Sequence, residues 1–390
     1  MNYKKRGFGP FFISGISLKS CRFSLVKLNV KNIGLLGAVR VEAILWITDF
    51  VFYEVLYKAG QGILSVITGF FGYTSRLSFL FIAVAFVAAY FAFLHQHKYF
   101  DQTKKDQTKD FLRFLKLREV YWHPSAKLDY LYLFINAAIN RVILGPLYLV
   151  LLIPAVDAGH LLADFLTTIL GPREYVGRGE HGAWVYFLYG FVLFVAVDFS
   201  HYWVHRLCHA SPFLWEFHKI HHAAEVLVPP TALRVHPIEK VLERIMHLGV
   251  VGTTCGIFFY LFGREVHAPL ILGVNYLLFI SNFAAANLRH SHIWLSFGRV
   301  VERIFMSPAQ HQIHHSTNPK HYNKNLATHL SLWDWMFGTL YLTTSRPETI
   351  EFGVGEKDGK NYQTLNGLLF YPFKASFRKF SRKVKKLILS

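Results

Sequence analysis

The sequence predicts an all-α protein, a multi-pass transmembrane helical bundle with a histidine-rich helical cap on its cytoplasmic face. Three observations lead there. Of the 390 residues, 53% are hydrophobic and only 17% are charged, against about 25% charged in soluble globular chains. Several apolar runs approach or exceed the ~18–20 residues that a spanning helix needs. The 21 histidines are clustered, and the dense clusters fall just beyond the ends of those runs.

Residues 77–94 form the cleanest run, without a charge over 18 positions, and residues 269–288 form a second. Residues 184–197 and 245–262 are shorter or broken by single polar groups. Residues 130–156 are apolar but contain Arg141 and the pair Gly145-Pro146; an arginine at depth needs an internal partner or a route to the interface. An earlier crossing is expected within residues 35–60. Without it the basic N-terminus and the basic stretch 98–118 would lie on opposite sides, against the positive-inside bias. Counting from an inner N-terminus, residues 245–262 and 269–288 make a hairpin, and every dense histidine cluster reaches the inner face. The expected organisation is an N-terminal membrane region (1–183), a catalytic region (184–345) and a basic C-terminal tail (346–390).

The net charge of +18 comes from 42 Lys and Arg against 24 Asp and Glu. No nucleic-acid motif accompanies it, and the basic residues flank apolar runs, which fits anionic lipid headgroups. Cys21, Cys208 and Cys255 form no C-x-x-C pair; they suggest no disulfide framework and cannot ligate an iron–sulfur cluster. The basic, Ser-containing start of the chain reads as a cytoplasmic tail rather than a transit peptide.

Three histidine boxes carry the chemistry. His205 and His209 frame H-x-x-x-H; His218, His221 and His222 form H-x-x-H-H; His311, His314 and His315 form a second H-x-x-H-H. On an α-helix, positions i, i+3 and i+4 share a face, so each box is expected to aim its imidazoles one way. Imidazole suits iron, zinc, copper and nickel. A mononuclear catalytic zinc needs only three protein ligands, so eight histidines on three faces suffice for two ions. His201 extends the first box by one more H-x-x-x-H frame. His95, His97, His123, His160, His181, His247 and His267 stand alone and are expected as ordinary hydrogen-bonded side chains. Ligating imidazoles usually donate their other N–H to a carboxylate or carbonyl; Asp198, seven residues before His205, together with Asp334 and His236, are candidates to receive it.

The string from Asp198 through His205 and His209, followed by Leu214-Trp215 and His218-Lys-Ile-His221-His222, resembles the fatty acid hydroxylase / sterol desaturase superfamily. So do Pro308-Ala-Gln-His311-Gln-Ile-His314-His315 and the downstream Trp333-Asp334 with Phe337-Gly338-Thr339. The resemblance covers about residues 184–342. It implies an integral membrane oxygenase with a di-iron centre, O2 as oxidant and one further ligand between the second and third boxes. That position is His290 in Asn287-Leu-Arg-His290-Ser291, with His292 a weaker candidate and Ala286 standing where some relatives have another histidine. Zinc is an alternative occupant of the same imidazoles.

The implied reaction is hydroxylation or desaturation of an unactivated C–H bond in a sterol, fatty acyl chain or ether lipid. With no Rossmann fingerprint or haem-attachment motif in the chain, electrons are expected from a separate cytochrome b5, ferredoxin or reductase. The lipid is expected to enter between spanning helices past Asn275 and Tyr276, with Arg234 and His236 near its headgroup. The expected location is the bacterial inner membrane or the endoplasmic reticulum. A histidine-rich metal transporter is the rival from another class, but transporters place ligands near the bilayer midplane. A structural zinc membrane protein is the third reading.

Overall fold

Residues 55–71, 75, 77–100, 107–144, 155–173, 182–264, 266–271, 274–283 and 286–388 are described by the computed structural model. The crossing expected within residues 35–60 lies largely outside them, as do Gly145-Pro146 and His181. The helices are α1 (Lys58–Phe71), α2 (Phe79–Phe100), α3 (Gln107–Phe114), α4 (Pro124–Ile139), α5 (Ala155–Leu170), α6 (Ala183–Ala210), α7 (Leu214–His222), α8 (Pro237–Phe262), α9 (Tyr276–Phe283), α10 (Pro308–His314), α11 (Leu332–Met336) and α12 (Leu365–Ile388). A two-residue antiparallel ladder pairs Leu270–Ile271 with Val274–Asn275.

Among the described residues, three helical segments are long and apolar enough to cross a membrane: Phe79–Gln96, Ala183–Ala210 and Pro237–Phe262. Helix length explains how the cap is joined to them. With 28 residues, α6 is ~42 Å long at 1.5 Å per residue, whereas the hydrocarbon layer is ~30 Å thick. Its last turns, which carry His205 and His209, therefore project past the apolar layer on the same rigid helix. Helix α8 runs beside α6. Trp184 and Phe262 meet edge-on at one end with centroids 5.9 Å apart, and His201 and His247 meet nearer the other. Its first turns project on the same side as the histidines. Helix α8 begins at Pro237 with His236 as cap, the imidazole accepting from the Ile238 N–H, and stops at Gly263, whose φ of 92° suits a residue without Cβ.

Helix α5 packs against α8 through small residues. A Cβ on Gly159 would lie 2.5 Å from the Cys255 Cβ, so the two backbones approach as closely as they do because that position is glycine. Ala163, Val185, Tyr189, Cys255 and Phe258 close the core among α5, α6 and α8. Cys208 and Cys255 are both buried free thiols.

The run 269–288 departs from expectation. It is not one spanning helix: it holds the small ladder, the eight-residue α9 and a 3-10 turn at Ala286–Leu288. Pro269 has no N–H to continue a helix. The Asn275 side chain accepts from the N–H groups of Leu277 and Leu278 and so starts α9 afresh. Residues 346–388 are likewise held against the cap, with α12 packed on α7.

Candidate metal centre

Each box sits on an element that fixes its direction. His205 and His209 lie one turn apart on α6, and His218, His221 and His222 make up the end of α7. Helix α10 is started by Ser307, whose side chain accepts from the Gln310 N–H while the Gln310 side chain accepts from the Ser307 N–H. It carries His311 and His314, with His315 as its C-terminal cap. His290 follows the 3-10 turn Ala286–Leu288.

These nine side chains converge, but not box by box. His205, His209, His218, His222 and His314 form one group, and His221, His290, His311 and His315 form another; within each, one ring nitrogen per residue lies within 4.8 Å of all the others. Each H-x-x-H-H box is thus divided, its i and i+4 members serving one group and its i+3 member the other.

The nitrogens face one another at ligand spacing. His205 Nε2 is 3.0 Å from His218 Nε2, and His222 Nε2 is 3.2 Å from it. In the second group His290 Nε2 lies 3.3 Å from His221 Nε2 and 3.0 Å from His311 Nε2, which is 3.2 Å from His315 Nε2. An ion bound at ~2.1 Å holds neighbouring ligand nitrogens roughly 3.0–3.4 Å apart.

Tautomers decide what these contacts mean. His218 Nδ1 faces Glu239 Oε1 at 2.9 Å and His205 Nδ1 faces the Leu326 carbonyl at 2.6 Å. The Leu326 carbonyl cannot donate, so the His205 ring carries its proton on Nδ1; burial pushes the Glu239 carboxyl up to about 8, so it can give a proton to His218 Nδ1 as well as accept one. The His205 Nε2 lone pair therefore points into the group, 3.0 Å from His218 Nε2. His314 repeats the pattern: Nδ1 faces the Lys324 carbonyl at 3.0 Å, and its buried Nε2 has no hydrogen-bond partner. The donor set therefore fits metal ions.

Electrostatics agree with that fit. Burial, followed by repulsion from neighbouring imidazoles, holds His218, His222, His311, His314 and His315 well below the ordinary histidine pKa. His221 is pushed down to about 3, mainly by burial. All are neutral at pH 7, as ligation requires.

Outside the groups, the remaining candidates take other positions. Asp198 accepts from the N–H groups of His329 and Leu330 and from the Trp333 indole. Asp334 accepts from Leu326, Ala327 and Thr339, so it holds the very loop whose carbonyl meets His205. Burial raises the Asp334 pKa to about 6 against those lowering hydrogen bonds. His201 packs on His247 with centroids 4.3 Å apart, and His292 Nε2 lies 2.9 Å from the Phe114 carbonyl; neither joins a group. His123 caps α4 and His160 stacks on Phe259.

His236 is a helix cap rather than a partner of a ligand, with Nε2 3.1 Å from the Leu369 carbonyl. Arg234 is fully buried and paired with Asp129 at 2.9 Å, which assigns its guanidinium to the interior instead of a headgroup. Asn275 donates to the Gly190 carbonyl and Tyr276 to that of Phe187, so both fasten α9 to α6.

Glu239 was not singled out from the sequence. It is a buried carboxylate in the first turn of α8, and nothing in the string links it to His218, 21 residues earlier. Glu239→Gln, which keeps the shape but loses the charge, is expected to weaken metal binding roughly 10–100-fold. Competition with a chelator measures this, and unchanged affinity would remove Glu239 from the site. His236 gives a pH prediction. Burial lowers its pKa from 6.5 to about 4, so the folded state favours the neutral ring. Its contribution is full above pH 6.5 and is lost as pH falls toward 4. His236→Asn keeps a capping side chain, so its melting temperature is expected to fall less over that interval than that of the wild type.

A cavity of about 630 Å³ reaches the five-histidine group from the side of the cap, bordered by His209, Trp215, His222, His314, Tyr322 and Asn323.

Residues 190–339 match the family model described as fatty acid hydroxylase. This segment is similar to the fatty acid hydroxylase family. The matched domain contains all nine converging histidines, Glu239, Asp198 and Asp334. Curated relatives include alkylglycerol monooxygenase of Danio rerio, 28% identical over 191 residues, covering 49% of this chain and 37% of that protein. Ornithine lipid hydroxylase OlsE of Rhizobium tropici is 29% identical over 197 residues, covering 50% of this chain and 54% of that one. A putative Delta(7)-sterol-C5(6)-desaturase 2 of Arabidopsis thaliana is 28% identical over 178 residues, covering 44% and 55%. The chain therefore spans about a third to a half of the length of these relatives. No solved structure matches it significantly.

Proposed function

We propose that this chain is a membrane-bound oxygenase that hydroxylates or desaturates an unactivated C–H bond of a lipid, with two iron ions held by the nine histidines. The observation that carries the reading is the convergence of nine imidazoles into two adjacent groups, with the unprotonated Nε2 atoms of His205 and His314 turned into one of them. The relatives named above are a monooxygenase, a hydroxylase and a desaturase with lipid names, which supports the choice of substrate class.

When bound, such a metal pair supplies activation of O2 and oxidation of an inert C–H bond. In hydroxylation one oxygen atom enters the substrate; the other leaves as water, taking up two electrons and two protons. The chain's own residues hold and orient. Glu239 and the carbonyls of Leu326 and Lys324 fix three ring orientations. Asp198 and Asp334 fix the loop that presents the Leu326 carbonyl. The projecting end of α6 sets the site at the edge of the apolar layer, where a lipid chain reaches it without crossing water. Electrons come from a separate cytochrome b5, ferredoxin or reductase, and the basic cytoplasmic face steers an acidic carrier.

Lipid mass spectrometry of cells with and without the chain, grown under ¹⁸O2, tests this. A lipid gaining ¹⁸O or a double bond only when the chain is present is the expected outcome; an unchanged lipid profile rejects it. In the same cells, a cysteine at the exposed position Lys320 should resist an impermeant outside reagent, and labelling there would refute the cytoplasmic placement.

A further inference from the structure

Helix α12 has two unlike surfaces. Phe370, Phe373, Phe377 and Phe380 recur at i, i+3, i+7 and i+10, one stripe along a helix. All four are exposed, Phe377 to 71%. Beside the stripe stand exposed Lys374, Arg378, Lys383 and Lys385, whereas Arg382 lies about 140° round the helix from Phe377, and the whole helix contains no acidic residue. Water-facing helices of soluble proteins rarely present such a row of phenylalanines.

The position of the stripe says what covers it. Phe373 packs against His236 and Phe217, with centroids 5.2 and 5.1 Å apart. His236 Nε2 meets the Leu369 carbonyl. His236 is the residue just before α8, whose first turns project past the apolar layer, so α12 begins beside those turns on the histidine side of the layer. An exposed aromatic stripe on that side, flanked by cations, matches an amphipathic helix lying in a membrane interface. An acidic protein would neutralise the cations but leave the phenylalanines in water.

We propose that α12 is an in-plane anchor. Its phenylalanine stripe lies in the interfacial layer of the leaflet on the histidine side, and its lysines and arginines bind anionic lipid headgroups. The anchor is tied to the site: Lys379 pairs with Glu216 on α7, the same carboxylate that accepts from the Tyr362 hydroxyl. Seating α12 on the leaflet therefore braces the helix that carries His218, His221 and His222. The proposal depends on the apolar spans crossing a membrane and not on the reaction.

The test uses the full chain in lipid nanodiscs, with Cys21 replaced by serine and a polarity-sensitive fluorophore on Phe377→Cys or Arg382→Cys. Nitroxide-labelled lipid is expected to quench the probe at 377 and to spare the one at 382. Quenching at 377 is expected to rise when phosphatidylglycerol is added to phosphatidylcholine. It should fall to the level of 382 when Lys374, Arg378 and Lys385 are changed together to glutamate. Equal quenching at both positions in every composition overturns the anchor. So does a disulfide between two chains at 377, which would show that a second copy covers the stripe. Quenching at 377 indifferent to lipid charge and to the triple change overturns the role of anionic lipid.

Discussion

Replacing His221 with alanine is expected to lower metal content from about two ions per chain to about one and to reduce turnover by ~10³-fold or more, without unfolding the chain. His221 belongs to the four-histidine group, while its neighbours in the box, His218 and His222, serve the five-histidine group. Removing one of four ligands empties that group and leaves the other with all five imidazoles. Chemistry that needs two metals then stops, although a metal-binding protein remains. His314→Ala is expected to empty the other group in the same way. His123→Ala is the control: its ring caps α4 and joins neither group, and its loss costs about 1 kcal/mol of helix stability without removing a ligand. Metal analysis with a turnover assay checks all three variants. Full turnover with two ions retained in His221→Ala would refute the division of the box.

That division marks where sequence reasoning stops. Eight of the nine histidines were legible, because imidazole repeated at i, i+3 and i+4 has few structural uses; His290 stands in no box and came from the family resemblance. The expectation that each box aims at one point was too coarse. At 3.6 residues per turn, residue i+3 lies about 60° behind residue i and i+4 about 40° ahead of it. His221 and His222 therefore diverge by about 100°, enough to serve different ions when two sites lie side by side. The spacing that suggested one shared face is also the spacing that splits it.

The fold was legible to a similar depth. Apolar runs gave α2, α6 and α8, because a spanning helix is a property of composition over many residues. Hydropathy misread residues 269–288, because it averages over Pro269 and Asn275, and what those two do depends on single atoms. Glu239 was hidden for another reason. Its partner His218 sits on α7, and only the packing of α7 against the start of α8 brings them to 2.9 Å. The aspartates Asp198 and Asp334 were legible as important but not in their roles. Both act through backbone N–H groups, which every residue has and no motif advertises.

Breaking the buried pair of Asp129 and Arg234 is expected to destabilise the chain by about 3–5 kcal/mol. The two side chains are wholly inaccessible. Asp129 takes Arg234 Nη1 at 2.9 Å and the Thr231 hydroxyl at 2.5 Å, while Arg234 Nη2 donates to the Tyr362 carbonyl at 3.0 Å. One guanidinium thus joins α4, the turn before α8 and the turn before α12. Asp129→Ala leaves that cation buried without its counter-ion, and desolvation makes the loss much larger than for a surface pair. Adding Arg234→Met to Asp129→Ala removes the orphaned charge and is expected to recover a substantial part of the loss. Thermal unfolding of the two variants in lipid nanodiscs measures both steps. The same variants separate an interior role for Arg234 from a grip on a lipid headgroup. A structural pair predicts a lower melting temperature with an unchanged product spectrum in the protein that remains folded. An unchanged melting temperature with altered lipid preference would return Arg234 to the substrate.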